Sequence, residues 1–413
     1  MSGPIPAGEP REDFERVSAS HRTSAGGDPS LWDQGCDTKC MQHYFRIDRV
    51  VIENYRSIVR CDVRLGQITF LVGPNGSGKS NFVDALAFVS DSLKHSLEHA
   101  ARERQGIHSL LHAPFQFTSR MAFRFEISSP DGLHASYSLT IRVEDSMVVE
   151  REECHVRTPD AEHHYLVSAG TVHGSARVFP PVSPDRLFLV NAAGLPEFRP
   201  VYDFLSGMAM TESSPPLHFA RLLGREMPLR FLQLKLKNPA RADVIQDYLR
   251  AIAEPFDRLE VIKTDNTWEL TFIEKSGLRF IVPQVSGGLL HCLEILVELF
   301  EPPKNGAPAS LVAIEEPEAL LHPGAVSVIR GSFLQAKELR QILITSHSPD
   351  LLDDASILGE WIRVVRQDQA GTHVEELDPA TESIIRDQLF SAGELLRHGG
   401  LSSRSQLNDE TAA

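Results

Sequence analysis

Ile68-Thr-Phe-Leu-Val-Gly-Pro-Asn-Gly-Ser-Gly-Lys-Ser80 is the stretch from which the rest of this chain is read. The apolar run Ile68 to Val72 has the length and composition of a buried strand. From Asn81 onward apolar residues recur at helical spacing, at Phe82, Leu86 and Val89 with Val83 beside them. Between strand and helix, Gly73 to Ser80 fits the pattern G-x-x-x-x-G-K-[ST] in the context that pattern requires. The glycines let the backbone turn tightly and aim several N–H groups at phosphate oxygens. The N-terminus of the following helix adds partial positive charge at the same place. Lys79 has the reach for β- and γ-phosphates, and the Ser80 hydroxyl is a ligand for Mg²⁺. The expected nucleotide contacts are therefore Gly73, Pro74, Asn75, Gly76, Ser77, Gly78, Lys79, Ser80 and Asn81.

Three further segments follow in order. Val285-Ser-Gly-Gly-Leu-Leu290 opens an apolar helix, Ser286 to Phe300, and its two glycines expose N–H groups at a helix N-terminus. Taken alone this is also an ordinary N-cap turn. Its place just upstream of the acidic segment points to an anion site at Ser286, Gly287 and Gly288. Leu311-Val-Ala-Ile-Glu-Glu-Pro-Glu318 is an apolar strand delivering adjacent carboxylates at its C-terminal end, where open α/β sheets bind ligands. Glu315 is the expected metal ligand and Glu316 the group that orients or deprotonates water. Gln341-Ile-Leu-Ile-Thr-Ser-His-Ser-Pro349 is a second buried strand, ending in His347, a residue suited to bond a γ-phosphate.

The flanking sequence fills in the organisation. Phe45 to Asn54 and Asp62 to Leu65 read as strands, and alternating strands recur from Met121 to Val167, an antiparallel meander. Helices are expected at Leu217 to Leu223, Ala240 to Ile252, Gly324 to Leu339 and Glu382 to His398. Strands are expected from Arg258 to Val282, Trp361 to Arg366 and His373 to Leu377. The expected divisions are a disordered tail at 1–42, a first lobe at 43–180, a helical and β insertion at 181–282, a second lobe at 283–400 and a tail at 401–413. Met41, just before the patterned sequence, is a candidate translation start. Cys36, Cys40 and His43 lack a fourth ligand for zinc, and the pairs His95/His99 and His108/His112 lack acidic partners nearby in sequence.

The net charge of -15 gives no whole-chain support for nucleic-acid binding, so any such site must be a local patch. The run Arg221, Arg225, Arg230, Lys235, Lys237 and Arg241 is the one candidate for DNA phosphates. Five cysteines in 413 residues do not make a disulfide framework. No apolar stretch is long enough to span a bilayer, and a cytoplasmic protein is expected.

Taken together, the four motifs resemble the ABC-type ATPases of the SMC, RecF and OLD branch, commonly described as AAA-family ATPases. Ile52-Glu-Asn-Tyr-Arg-Ser-Ile58 resembles the N-terminal strand motif of that branch, whose basic residue, here Arg56, approaches the nucleotide. Glu315-Glu-Pro-Glu-Ala-Leu-Leu-His-Pro323 and Thr345-Ser-His-Ser-Pro349 resemble its acidic and histidine motifs. The resemblance implies an α/β fold: a P-loop NTPase with an ABC-type ATPase core, its mixed or parallel central sheet accompanied by the β meander and the insertion. It implies ATP and Mg²⁺, and a head-to-tail homodimer in which Ser286, Gly287 and Gly288 act on the partner's nucleotide. Glu315 stands where many relatives have Asp, and Ser-Gly-Gly-Leu departs from the usual signature, so slow hydrolysis is expected. The glutamine that contacts Mg²⁺ in this branch has Gln116 as its candidate. The stretch after His347 is too short for a Toprim nuclease domain, which implies a stand-alone ATPase working with a separate effector in phage defence or DNA processing. The alternatives are a nucleotide-binding scaffold with little turnover and a transporter subunit.

Overall fold

The computed structural model describes residues 45–112, 119–176, 178–182, 186–211, 216–264, 267–302 and 311–404, without the side chains of 119 and 216–225. Cys36, Cys40, Met41, His43, Gln116, the segment 1–42 and most of 401–413 lie outside the described residues. The chain opens with the hairpin β1 (Arg46–Tyr55) and β2 (Ile58–Arg64), then β3 (Ile68–Val72), α1 (Lys79–Lys94) and α2 (Leu97–Arg102). A meander follows: β4 (Ser119–Ser128), β5 (His134–Val143), β6 (Met147–Arg157), β7 (Glu162–Ser168) and β8 (Thr171–Gly174). Next come α3 (Phe188–Ala192), α4 (Arg199–Ser206), β9 (Ala209–Thr211), α5 (Pro216–Lys237) and α6 (Pro239–Ile252). The small antiparallel sheet β10 (Phe256–Thr264), β11 (Thr267–Glu274) and β12 (Arg279–Ile281) leads into α7 (Gly287–Phe300). Then β13 (Val312–Glu315), α8 (Pro323–Ala336), β14 (Ile342–Ser346) and α9 (Pro349–Leu352) alternate. The described chain finishes with β15 (Ile362–Asp368), β16 (Gly371–Glu376), α10 (Pro379–Arg386) and α11 (Ala392–Arg397).

Two larger sheets organise these elements. One has seven strands in the order β2-β1-β4-β5-β6-β7-β8, all antiparallel, and extends the expected meander by β8. The other has six strands in the order β16-β15-β3-β14-β13-β9; β15 to β9 run parallel and β16 pairs antiparallel at the edge. Side chains alternate across this second sheet as the strand period requires. Leu71, Leu343 and Ala313 face one core with α1 and the seven-stranded sheet. Phe70, Ile344 and Ile314 face the other with α6, α7 and α8. Because both faces are covered, β3 and β14 are buried at every position and read as continuous apolar runs.

Two expected helices differ from the observed ones. The helix expected at Leu217 to Leu223 runs on past Gly224 and through Pro228 to Lys237. Burial of Met227, Phe231 and Leu234 offsets the backbone hydrogen bond that Pro228 cannot make. The helix expected over Glu382 to His398 is two helices, α10 and α11. Ser391 caps the second in a capping box with Glu394 and so starts a new helix in mid-pattern.

Polar ties lock the layers. The buried Gln341 side chain accepts from the Ile47 amide and donates to the Ile47 and Gly66 carbonyls, each at 2.8 Å, pairing β1 as a backbone would. In the seven-stranded sheet Glu152 is fully buried. It accepts from the Phe188 and Leu189 amides at 2.6 and 2.7 Å and from the Tyr165 and Tyr137 hydroxyls at 2.9 and 3.2 Å. Burial raises its pKa above the ordinary glutamate value, against the pull of those four donors.

A carboxyl whose folded pKa is raised contributes its stability below the unfolded value and loses it as pH rises through the folded one. Replacing Glu152 by Gln leaves the Phe188 amide or one of its companions without an acceptor. Glu152→Gln is therefore expected to cost about 2 kcal/mol near the unfolded pKa, with the gap to wild type narrowing as pH rises. Urea unfolding of both proteins from acid to neutral pH measures this.

Candidate functional site

Parallel register sets the site. Ser346 pairs with Val72, and Thr345 with Glu315, so three strands end side by side. Gly73 follows β3, Glu316 follows β13 and His347 follows β14 at this common C-terminal edge, the place where such sheets bind ligands. The Gly73 amide bonds to the Ser346 carbonyl at 3.4 Å, and the Glu316 amide to the Thr345 carbonyl at 3.0 Å.

The glycine loop has the conformation its composition implies. Gly76 and Gly78 lie at φ of 78° and 101°, and a Cβ on Gly76 would meet nothing within 4 Å. A Cβ on Gly73 would lie 2.1 Å from the Val365 carbonyl oxygen, so only glycine lets the loop leave β3 here. Lys79 is buried and its ammonium donates to the Gly73 and Pro74 carbonyls at 2.8 and 3.0 Å. Burial lowers its pKa, against the pull of Glu316, Glu318 and Glu315. Ser77 Oγ is buried without a hydrogen-bond partner. Asn81 donates to Ser57 Oγ at 2.5 Å.

Arg56 sits in the β1–β2 turn at φ 47°. Its Nε lies 3.1 Å from Asp84 Oδ2, and its carbonyl bonds to His112 Nδ1 at 2.8 Å. Asp84 lies one helical turn beyond Ser80. It also accepts from Tyr55 Oη at 2.6 Å and Arg104 Nε at 2.7 Å. Arg56, Ser80, Asp84 and Glu315 line one groove of ≈ 1050 Å³, which runs along α1 as far as His95 and His99.

Glu316 takes φ 45°. One of its carboxylate oxygens lies 3.3 Å from His347 Nδ1. Glu318, nearly buried, accepts from Ser346 Oγ at 2.7 Å and from the His347 amide at 3.3 Å, which fixes the start of the histidine loop.

Ser286 caps α7, accepting from the Leu289 amide at 3.4 Å. It is exposed and lines a separate cavity of ≈ 190 Å³ with Phe256 and Phe272. A Cβ on Gly288 would lie 2.6 Å from the Leu320 carbonyl oxygen, so the first turn of α7 packs on the loop after Glu316. The signature turn thus touches the acidic loop of its own chain but not the groove that Ser80 lines.

The basic run does not form one open face. Arg230 pairs with Glu298 and Glu301 at 2.7 and 2.5 Å, and Arg241 donates to the Phe300 carbonyl at 3.3 Å. Arg340 is buried beside them and donates to the Glu298 and Glu301 carbonyls. Its pKa is pushed down to about 10, first by burial and then by the neighbouring arginines against the pull of Glu298 and Glu301. These arginines complement the carbonyl end of α7. Lys235 and Lys237 are exposed, while the side chains of Arg221 and Arg225 lie outside the described residues.

Sequence reasoning missed Asp84, Glu318 and Thr372. Asp84 and Glu318 left a trace, since one stands a turn after Ser80 and the other ends the acidic motif. Thr372 left none. It is buried on β16, bonds to Ser57 Oγ at 2.7 Å and donates to the Ser77 carbonyl at 3.1 Å.

This arrangement suits a polyphosphate with Mg²⁺. The loop supplies a glycine cradle, a buried lysine and an unpartnered serine hydroxyl, and the oxygen donors Ser80 and Glu315 line one groove beside it. Among the described residues no helix is long and apolar enough to cross a membrane.

A family model described as "AAA domain, putative AbiEii toxin, Type IV TA system" matches residues 68–177 and 205–353. The OLD nuclease of Thermus scotoductus is 23% identical over 383 residues, which cover 84% of this chain and 68% of that protein. The DNA replication and repair protein RecF of Vibrio cholerae is 41% identical over 54 residues, 12% of this chain and 15% of its own. Among solved structures, an Smc head bound to the C-winged helix domain of ScpA aligns with a TM-score of 0.48 and 14% identity, over 81% of this chain and 99% of that chain.

A Cβ on Gly78 would fall 2.1 Å from Thr372 Oγ1, at a φ that side chains rarely adopt. Gly78→Ala is expected to lose about 2–3 kcal/mol of unfolding free energy. Adding Thr372→Ala should cost less in that background than alone, a coupling of about 1 kcal/mol in a chemical-denaturation double-mutant cycle.

Proposed function

Since the chain belongs to this AAA-domain family and is an ATPase of the SMC, RecF and OLD type, we propose that it binds and hydrolyses ATP as a nucleotide-driven dimer switch. The observation that carries the reading is the meeting of Lys79, the Glu315–Glu316 pair and His347 at neighbouring strand ends, with Glu316 and His347 3.3 Å apart.

In this reading the loop from Gly73 to Asn81 cradles the triphosphate. Lys79 exchanges its two carbonyl partners for phosphate oxygens, a charge-assisted contact that offsets its burial. Ser80 and Glu315 would hold Mg²⁺, which when bound would draw charge off the phosphate oxygens. Glu316 takes a proton from the attacking water, whose oxygen bonds to the γ-phosphorus as ADP departs. His347 bonds to the γ-phosphate and reports its presence. Arg56, released from Asp84, approaches the nucleotide from the β1–β2 turn. Ser286, Gly287 and Gly288 serve a second copy's nucleotide, consistent with an exposed signature turn that lines no part of its own chain's groove. ATP then clamps two copies head to tail and hydrolysis releases them.

The setting proposed is bacterial and cytoplasmic, in phage defence or DNA processing with a separate effector. A family description that names a toxin–antitoxin system and relatives named for nuclease and DNA repair support it. Among the described side chains, DNA contact through the 221–241 region would use Lys235 and Lys237, because Arg230 and Arg241 are turned inward. A second reading, a nucleotide-binding scaffold with little turnover, is favoured by Glu315 in the metal position and by the Ser-Gly-Gly-Leu signature.

Turnover and light scattering with and without MgATP separate the two. Wild type is expected to hydrolyse ATP. Lys79→Ala should weaken ATP binding about a hundredfold. Glu316→Gln should keep ATP binding, lose about a thousandfold in turnover and accumulate as a dimer. An inactive wild type that never changes size sinks the switch and leaves the scaffold.

A further inference from the structure

Glu316 is held in an unfavourable backbone conformation by contacts that come from two directions. Its φ of 45° is uncommon for a residue with a side chain, and Leu320, four residues on, is at 65°. From the β14 side its amide is fixed by the Thr345 carbonyl at 3.0 Å and by Thr345 Oγ1 at 3.2 Å. Its carbonyl accepts from the Ala319 amide at 2.8 Å, which closes the turn. A carbonyl oxygen has a second lone pair. On α7, His291 is buried and hydrogen-bonds to the Glu316 main chain, while its Nε2 has no partner. Burial lowers the His291 pKa, and a neutral imidazole keeps one N–H to donate.

The same helix touches the other end of the turn. The backbone of Gly288, three residues before His291, packs on the Leu320 carbonyl so closely that no Cβ fits between them. The first two turns of α7 therefore contact both ends of the 316–320 segment, and the helix is capped by Ser286 and begins with Gly287-Gly288.

We infer that His291 is a positioning residue for Glu316, coupling the signature turn to the water-activating carboxylate within one chain. The inference rests on the roles proposed above for Glu316 and for Ser286 to Gly288. The bond from His291 keeps the Glu316 peptide turned so that its carboxylate lies beside His347. When a second copy's nucleotide docks on Ser286, movement of α7 carries His291 and Gly288 with it, and the Glu316 turn follows. Turnover is thereby tied to docking.

Two readouts on the full chain test this. In the nucleotide-free protein, His291→Leu should speed amide hydrogen exchange across 316–321 about tenfold, and His291→Gln, which keeps an N–H donor, should restore most of the protection. In turnover, His291→Leu should lower kcat about tenfold with KM for ATP within about twofold, again recovered by Gln. Unchanged exchange in His291→Leu overturns the inference, and so does faster exchange with an unchanged kcat. Should His291→Leu fail to fold, Gly288→Ala takes its place, because its methyl must displace Leu320. Exchange across 316–321 as slow as in wild type would then overturn the inference. A wild type without turnover defeats the proposed function instead, while the exchange comparison still decides whether His291 holds the turn.

Discussion

The parallel register of β3, β14 and β13 is the constraint on which the rest depends. Val72 lies beside Ser346 and Thr345 beside Glu315, so the residues after each strand share one edge. A two-residue slip in β14 would keep every face buried yet move His347 about 7 Å along the sheet, away from Glu316. Apolar patterning alone cannot forbid that slip. Gln341 can, because its amide must find the Ile47 and Gly66 main chain and does so at one position only. A buried side chain remote from the edge thus helps set the chemistry there, since leaving its donors and acceptor unpaired costs more than the packing would return.

Similar buried polar contacts hold the groups around the loop. Asp84 gathers Tyr55, Arg56 and Arg104 on one carboxylate, joining the β1–β2 turn to the phosphate-loop helix. Thr372 stands under Gly78 and ties the far edge of the six-stranded sheet to the same turn. Glu318 anchors the histidine loop through Ser346 and the His347 amide. None of these need meet a substrate. Each holds a neighbour in a geometry that solvent would otherwise loosen.

Helix α7 has a different task at each end. At its start lie Ser286, Gly288 and, one turn in, His291 beneath Glu316. At its end, Arg230, Arg241 and Arg340 gather on the last carbonyls and on Glu298 and Glu301. Three cations at a helix C-terminus complement its dipole. That same use removes Arg230 and Arg241 from the surface on which a basic stretch would otherwise be counted.

What the sequence determined by itself was the motif-bearing strands and the residues that follow them at the site. Ile68 to Ser80, Ile314 to Glu316 and Ile344 to His347 were legible because a strand buried on both faces is apolar throughout and must stop where polar chemistry begins. Helix extents were less legible. The helix expected to end at Leu223 runs on to Lys237 because tertiary burial outweighs Gly224 and Pro228, and the one expected across Leu389-Phe390 is divided by the cap at Ser391. Only the tertiary structure decided the strand register, the inward turn of the arginines, and the meeting of Asp84 with Arg56, Thr372 with Gly78 and His291 with Glu316. Local pattern records how much of a residue is buried, and it carries no information on which distant residue does the burying.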